Sequence, residues 1–448
     1  MNLCLRALLL GLTALALSGC PGDTDGDPVA VAESPSLTPQ AAAANVNGVA
    51  FVSATPHLIG LKGFGSIPEQ STVIFNATNT AGEPVQDLVV DFELRPTTGG
   101  VTLSNAQGTT GADGNVQTIV NSGEIPTTVR VRATATQDGA TTSVHSRDLV
   151  ISTGIATQGG LSISAKSLNI EGWDTNGAAT EITVLAADRY NHPVADDTVI
   201  NFIAEGGLLE PYCFTKGGAC SVIFTAREPR PSNGRVAVLA TAIGEESFDD
   251  DNPANGRFDD SENFVDLPEA FLDKNENDDR GADEYFYDDN SDDSYSHADT
   301  LFNGLLCNGP RCGTDTLTVS KQVVIVLSGS NLEVTPSWPY IHLHINAPFA
   351  YANPDQHDAD RGIVRFEVQD VNHQPPPEGT KITFTTTQGN ITSGASTTVP
   401  STNAPGPITI TVTVDSDGNQ IADGTLTMTA ETPQGVKTTH SILVSQRN

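Results

Sequence analysis

Short runs of alternating apolar and polar residues dominate the chain outside one acidic segment. Examples are STVIFNAT (71–78), TEITVLAAD (180–188) and GIVRFEVQD (362–370). The runs are rich in Val, Ile and Thr and stop at Gly, Asn, Asp or Pro, whereas helical periodicity is nearly absent. Because neighbouring side chains of a strand point to opposite faces of a sheet, this pattern predicts an all-β protein.

One motif, two strands joined by a Pro-containing turn, occurs three times, at 73–94, 182–204 and 364–386. Each copy is followed by a Gly-rich stretch and two further strands, and about seven short strands in ~100 residues is typical of an immunoglobulin-like sandwich. The second interval between copies is much longer than the first, which places an insertion in the second unit. The aromatic residues that close the copies are Phe92, Phe202 and Phe384.

We therefore predict tandem immunoglobulin-like β-sandwiches with an acidic, calcium-loop-like insertion in the second. The predicted segments are a lipoprotein signal peptide (1–19), a flexible tether (20–45), domain 1 (46–153), domain 2 (160–328, with the insertion at 245–315) and domain 3 (331–448).

Within a unit, the motifs follow a fixed order: a Pro-Val turn, a strand that ends in Phe, a Gly-rich loop and a V-x-A-x-A strand. In the first unit the motifs are clearest at three places: Gly82-Glu83-Pro84-Val85, 110–114 and 129–133. This order resembles the bacterial immunoglobulin-like domains of the invasin and intimin type. The resemblance covers roughly residues 50–445 without the insertion, and Pro375-Pro376-Pro377 replaces the compact turn in the third unit. It implies rigid spacer domains, with receptor binding concentrated in terminal modules.

The N-terminus predicts export and a lipid anchor. A short positive region at Arg6 precedes an apolar stretch (7–17) that is too short to span a bilayer as a permanent helix. The following Leu17-Ser18-Gly19-Cys20 resembles a bacterial lipoprotein signal, in which Cys20 becomes acylated. An ordinary secretory signal is the alternative. We expect the chain to be anchored to the cell envelope, at the outer membrane, through this lipid.

Four further cysteines predict disulfides, as expected for an exported chain. Local pairing, Cys213 with Cys220 and Cys307 with Cys312, is favoured because each pair flanks a Gly-containing turn. The alternatives are bonds that join the two edges of the acidic segment, or a zinc site of four thiolates. The zinc site is disfavoured by the spacing.

The charge is concentrated in one segment. The chain carries a formal net charge of −33, and residues 245–300 contribute −18 of it, from 21 acidic and three basic side chains. An acidic chain of this kind is poorly suited to nucleic acid, whose phosphates require Lys and Arg, so no nucleic-acid partner is expected. Acidity on this scale suits solubility, divalent cations or a salty habitat.

Asp and Asn recur in the acidic segment at alternate positions, which is how oxygen ligands are spaced around calcium. Phe and Tyr side chains are interleaved with them, although a disordered acidic tract would hold few aromatic residues. We therefore expect calcium as a cofactor that orders the segment, with a solvated acidic loop as the alternative. The candidate ligands form three windows: Asp273, Asn275, Asn277 and Glu284; Asp288, Asn290, Asp292 and Asp299; and Asp251, Asn255, Asp259 and Glu262.

Other chemistry finds little support. His342 and His344 could share a metal on one strand face, but surface histidines are the favoured interpretation, and no nucleophile-elbow, zinc-protease or phosphate-loop motif is present. The sequence thus predicts a non-enzymatic envelope protein for adhesion or spacing, with an unknown protein or glycan partner. The alternatives are a carbohydrate-binding or accessory module of a surface polysaccharide system and a metal-assisted hydrolase.

Overall fold

The computed structural model describes residues 48–63, 67–137, 140–345, 358–359, 361–418 and 421–447. Every regular element in these ranges is a β-strand. None of the described residues forms a helix that is long and apolar enough to span a bilayer. The predicted signal peptide, Cys20 and the tether lie outside the described residues.

The first sandwich consists of two sheets packed face to face. One has the strand order β1-β3-β7-β5, and the other has the order β2-β10-β8-β4-β6, with β9 paired to β8. The strands are β1 (Gly48–Thr55), β2 (Leu58–Gly60), β3 (Gln70–Thr78), β4 (Val89–Arg95), β5 (Thr102–Leu103), β6 (Gln107–Thr109), β7 (Asn115–Asn121), β8 (Thr127–Gln137), β9 (Ala140–His145) and β10 (Leu149–Ser152).

The second sandwich has the sheets β12-β14-β18-β16 and β13-β22-β19-β15-β17, with β11 paired to β19. Its strands are β11 (Ala156–Thr157), β12 (Leu161–Ala165), β13 (Asn169–Ile170), β14 (Ala179–Ala186), β15 (Val199–Ala204), β16 (Leu208–Leu209), β17 (Tyr212–Phe214), β18 (Ala219–Thr225), β19 (Arg235–Glu245) and β22 (Leu317–Leu327). The short pair β20 (Phe258–Asp259) and β21 (Cys307–Asn308) lies in the insertion between β19 and β22.

The third sandwich has the sheets β23-β26-β30-β28 and β25-β24-β32-β31-β27-β29. Its strands are β23 (Leu332–Pro336), β24 (Tyr340–His344), β25 (Asp358–Ala359), β26 (Arg361–Asp370), β27 (Lys381–Thr386), β28 (Asn390–Ser393), β29 (Ser396–Thr398), β30 (Ile408–Asp415), β31 (Asp423–Glu431) and β32 (Lys437–Arg447).

All three sandwiches share one topology. In each, one strand (β1, β12 or β23) belongs to one sheet. The short segment after it (β2, β13 or β24) crosses to the other sheet and pairs in parallel with the last strand of the sandwich (β10, β22 or β32). A separate buried apolar cluster fills each sandwich, and the three closing aromatic residues, Phe92, Phe202 and Phe384, are all buried. The predicted all-β architecture of tandem immunoglobulin-like sandwiches is confirmed.

A candidate metal centre in the acidic insertion

The acidic insertion (245–315) folds over the second sandwich and around two aromatic clusters. One cluster is built from Phe258 and Phe302, whose rings stack with centroids 4.7 Å apart, together with Phe248 and Phe264. The other packs Phe271 and Phe286 on Tyr295, and the Arg280 guanidinium lies 4.5 Å from the Phe286 ring centre. The insertion therefore has small apolar cores of its own.

Loop B (273–284) contains the first predicted window and is closed by two carboxylates. The side chains of Asp273 and Glu284 are buried, although they carry charge, because each accepts backbone N–H groups from within the loop. The donors are Asn277 and Asp278 to Asp273 (3.2 and 2.8 Å), and Lys274 and Gly281 to Glu284 (2.8 and 2.7 Å). Asn277 also accepts the Asp279 N–H at 2.9 Å. The structure thus brings the two ends of the predicted window together.

Loop A (250–262) contains the window that begins at Asp251, but its first carboxylate is Asp250. Asp250 accepts the N–H groups of Asn255 (2.8 Å) and Gly256 (2.9 Å). Glu262, which is buried, accepts the N–H groups of Asp251 at 3.1 Å and Asp259 at 2.9 Å. Asp251 therefore contributes its backbone to the loop, and the window is one residue longer than the sequence template.

Loop C (288–296) contains the first part of the predicted window that runs from Asp288 to Asp299, and its closing carboxylate is not Asp299. Asp288 accepts the N–H groups of Asp292 (3.1 Å) and Asp293 (2.8 Å), as Asp273 does in loop B. The second carboxylate is the buried Glu269, which precedes the loop in sequence and accepts the N–H groups of Asp289 (3.0 Å) and Ser296 (2.9 Å). The side chain of Asn290 donates to Ser296 Oγ at 2.9 Å.

Asp299 belongs to a fourth arrangement, loop D, which is made of two segments, 266–267 and 299–303. Asp266 accepts the N–H groups of Asp299 (3.2 Å) and Thr300 (2.8 Å). Glu246, directly after β19, accepts those of Leu267 and Asn303, both at 2.7 Å. Loop D therefore joins the start of the insertion to its end. Glu246, Asp266 and Glu269 lie outside the three predicted windows, so the spacing of ligands along the sequence did not identify them.

One backbone feature recurs in all four loops. The residue whose N–H is the second donor to the first carboxylate has a left-handed backbone, with φ between 59° and 78° at Gly256, Asp278, Asp293 and Thr300. This turn aims successive N–H groups at one side chain. The four loops thus share one arrangement: one Asp and one Glu, each of which accepts two or more backbone N–H groups.

The donor set of the loops consists of oxygen atoms, which is what calcium prefers. An ionised carboxylate offers about four lone-pair sites, so two accepted N–H bonds leave capacity for a cation. Within the described ranges, no group of three or more His, Cys, Asp or Glu side chains is positioned to hold a metal ion. Calcium in these loops would therefore also need amide and backbone carbonyl oxygens.

Burial makes two of the carboxylates at the base of the insertion hard to ionise. Burial raises the pKa of Glu246 to about 7, in opposition to the hydrogen bonds from Asn303 and Leu267, which lower it. Burial also raises the pKa of the neighbouring Glu245. Ionisation of these two carboxyl groups is therefore unfavourable unless a cation lies near them.

The structure forms both local disulfides, Cys213–Cys220 and Cys307–Cys312. The first links β17 to β18 and so connects the two sheets of the second sandwich. The second closes a turn at the end of the insertion, beside the pairing of β20 with β21.

The histidines on β24 remain surface features. The rings of His342 and Tyr340 lie with their centres 4.8 Å apart and are tilted by 30° to each other, and both side chains are half-buried. His344 lies two residues further along the same strand.

A hydroxyl–imidazole–carboxylate series crosses from the first sandwich to the second. Thr128 Oγ1 lies 3.2 Å from His192 Nε2, and His192 Nδ1 lies 3.4 Å from Asp188 Oδ2. Asp188 is fully buried and already accepts the N–H groups of Tyr190 and His192 and the hydroxyl of Ser152. Through these bonds Asp188 stabilises a turn and the junction between the first two sandwiches, so its role is structural.

No family model matches the chain, and no curated protein matches it. The structure is similar to several solved structures. One is the D0-D1 domain of intimin (17% identity, 44% of this chain, 90% of that chain, TM-score 0.21). Another is invasin, a bacterial integrin-binding protein (14%, 89% and 60%, TM-score 0.24). A third is FdeC, an Escherichia coli adhesin (12%, 90% and 97%, TM-score 0.27).

Proposed function

We propose that this chain is a non-enzymatic, lipid-anchored protein of the cell envelope, in which three sandwiches act as a spacer for adhesion and calcium stiffens the insertion. The observation that carries the proposal is the repeated topology of the three sandwiches, which are linked by buried polar contacts. Rigid repeats of this kind serve to hold a binding surface at a distance. The lipoprotein-like sequence that ends at Cys20 supports the anchor.

Buried junctions support a spacer that resists bending. Between the second and third sandwiches, the fully buried Asn169 donates to the carbonyl of Pro376 at 2.7 Å and accepts the N–H of Thr402 at 2.9 Å. Gly329 donates its N–H to Asp370 at 2.7 Å. Buried hydrogen bonds are costly to leave unmade, so they favour a single angle between domains.

The calcium proposal is supported by the loops themselves. Loops A, B and C each present one Asp and one Glu that are already oriented by backbone donors, with Asn or Ser oxygens beside them. The surrounding charge is strongly negative, and a divalent cation would offset the repulsion. Residues Asp273, Asn275, Asn277 and Glu284 of loop B form the site we would test first.

We expect added calcium to give heat in calorimetric titration of the full chain and to protect residues 245–300 from protease. Glu284→Gln should lower the calcium affinity by about tenfold or more, because it replaces the carboxylate that closes loop B with a neutral amide that has one oxygen fewer. Asp283→Asn is the matched control: it lies in the same loop, its side chain is 90% exposed, and it should leave the affinity unchanged. On intact cells, added protease should cleave the chain within the insertion only after calcium is chelated.

Absence of heat, combined with protease sensitivity at 245–300 that calcium leaves unchanged, would refute the calcium proposal. A chain that stays intact on cells after chelation, while the purified chain is cleaved, would refute the proposed role in adhesion, which requires display on the outer face of the cell.

A further inference from the structure

We propose that loop B transmits its calcium state to the junction between the second and third sandwiches, through the side chain of Arg235. The inference rests on the proposed function of loop B as a calcium site. It assigns to the insertion a regulatory role: calcium would set the stiffness of a domain junction, in addition to ordering the insertion itself.

Arg235 is the first residue of β19, and its side chain is almost completely buried. Its guanidinium binds two partners from different parts of the molecule. Nε and Nη2 donate to the carboxylate of Glu276 in loop B at 2.5 and 2.7 Å. Nη1 donates to Gln374 Oε1 of the third sandwich at 3.0 Å. One buried cation thus joins the insertion, the second sandwich and the third.

Glu276 is positioned by the fold of loop B. It lies between the ligand candidates Asn275 and Asn277, and its backbone is left-handed, with φ of 59°. Its carboxylate is engaged by Arg235, outside the closed loop, so it is separate from the predicted ligand set. Any change in the path of loop B therefore moves the partner of Arg235.

The start of loop B is fixed to the second sandwich, and the rest depends on the closing carboxylates. Asp273 and Gln322 of β22 exchange two hydrogen bonds, at 3.0 and 2.7 Å. Leu272 is buried against Ala237 and Leu239 of β19. Residues 274–283 have no such apolar anchor and carry several acidic side chains. They are held by the contacts of Arg280 with Phe286 and of Glu276 with Arg235, and by the closing carboxylates Asp273 and Glu284, whose surrounding negative charge calcium would neutralise.

The third-sandwich end of the connection is a buried turn. Gln374 donates its backbone N–H to Asp370 at 2.9 Å, in the turn that precedes the three prolines. The same Asp370 accepts the N–H of Gly329 from the segment between the sandwiches. A displaced Arg235 would leave Gln374 Oε1 without its donor at this junction, and a buried guanidinium without its carboxylate is strongly unfavourable. Loss of order in loop B should therefore loosen the turn at 370–378.

The test is amide hydrogen exchange of the full chain, measured by mass spectrometry in saturating calcium and in chelator, with peptides 273–284 and 370–378 as readouts. Chelation should speed exchange in both peptides, by about tenfold or more in 370–378. In calcium, Glu276→Gln should speed exchange in 370–378 while 273–284 stays protected. Asp283→Asn, with the same loss of charge in the same loop, should behave as the unmodified chain.

A second variant approaches the connection from the other side. Gln374→Leu changes only the third sandwich, and should remove the calcium dependence of peptide 370–378 while leaving that of 273–284 in place. If 273–284 responds to calcium and 370–378 does not, the connection is refuted while the calcium proposal stands. If 273–284 does not respond, the calcium proposal itself fails. Unchanged exchange of 370–378 in Glu276→Gln also refutes the connection.

Discussion

At the scale of single residues, the insertion is organised by carboxylates that accept backbone N–H groups. Asp273 and Glu284 show the arrangement most plainly, because both are buried and both close the same loop. Glu269 and Glu246 do the same for loops to which they are not adjacent in sequence. An unpaired buried carboxylate would be very costly, so these hydrogen bonds are what permits burial of the acids.

Gly256 is one of the residues at which the insertion meets the first sandwich. Its φ is 78°, and a Cβ there would lie 2.8 Å from Cγ2 of Ile125. We expect Gly256→Ala to destabilise loop A by more than the ~1–2 kcal/mol that a left-handed Ala costs by itself. Gly177→Ala is the control, since its φ of 98° carries the strain without any neighbour within 4 Å. Amide exchange over 250–262 measures the cost of Gly256→Ala, and exchange in the peptide that contains position 177 measures the cost of the control. Equal costs in the two variants would show that the contact with Ile125 is unimportant.

At the scale of elements, the strands of each sandwich follow their alternation closely. In β26, the apolar residues Val364, Phe366 and Val368 are fully buried and the residues between them face solvent. The polar face carries cross-strand pairs, such as Arg361 with Asp415 of β30, which are directly opposite in register. Such exposed pairs add little to stability, because water screens them.

The Arg361–Asp415 pair gives a pH dependence with a defined sign. The hydrogen bond from Arg361 is the main reason that the pKa of Asp415 lies below its ordinary value, so the pair stabilises the fold above the pKa of an unfolded Asp, ~3.9, and is lost as the pH falls through the lower folded value. We expect Asp415→Asn to cost up to about 1 kcal/mol at pH 7 and almost nothing near pH 2. Equilibrium unfolding at both pH values tests this, with the exposed Glu367→Gln on β26 as the control. A cost that does not change with pH would contradict the assignment.

At the scale of the whole molecule, one turn recurs at both junctions between sandwiches. Asp188 lies just after β14, and Asp370 is the last residue of β26. Both are fully buried, and each accepts two N–H groups from the turn that follows. The other oxygen binds the end of the preceding sandwich, through the hydroxyl of Ser152 at the end of β10 or the N–H of Gly329 after β22. The same turn therefore shapes a sandwich and also docks it on its neighbour.

Asn169 provides a direct test of the second junction. Asn169→Ala would leave the buried N–H of Thr402 without its acceptor and the carbonyl of Pro376 without this donor. We expect a loss of about 1–3 kcal/mol, localised at the junction. Exchange of peptides that contain Thr402 should accelerate, while the cores of the two sandwiches stay protected. The exposed Asn390→Ala serves as control, and unaltered exchange near Thr402 would show that the junction does not depend on this amide.

The sequence by itself determined the all-β class, the three sandwich units and the position of the insertion, and it favoured the local disulfide pairs over the alternatives. These follow from signals within a few residues: alternation along strands, a recurring turn, and cysteines that flank short Gly-containing turns. The sequence also predicted the ends of loop B, because Asp273 and Glu284 lie within one continuous window.

Only the tertiary structure decided which carboxylates complete loops C and D, and how the domains are joined. Glu269 and Glu246 reach their loops because the insertion folds back on itself, and no local pattern records that path. Arg235 likewise meets Glu276 and Gln374 across 41 and 139 residues of sequence. Such contacts form where segments that are distant in sequence pack together. Their residue types are therefore set by the final packing, and they leave no periodic signal in the sequence.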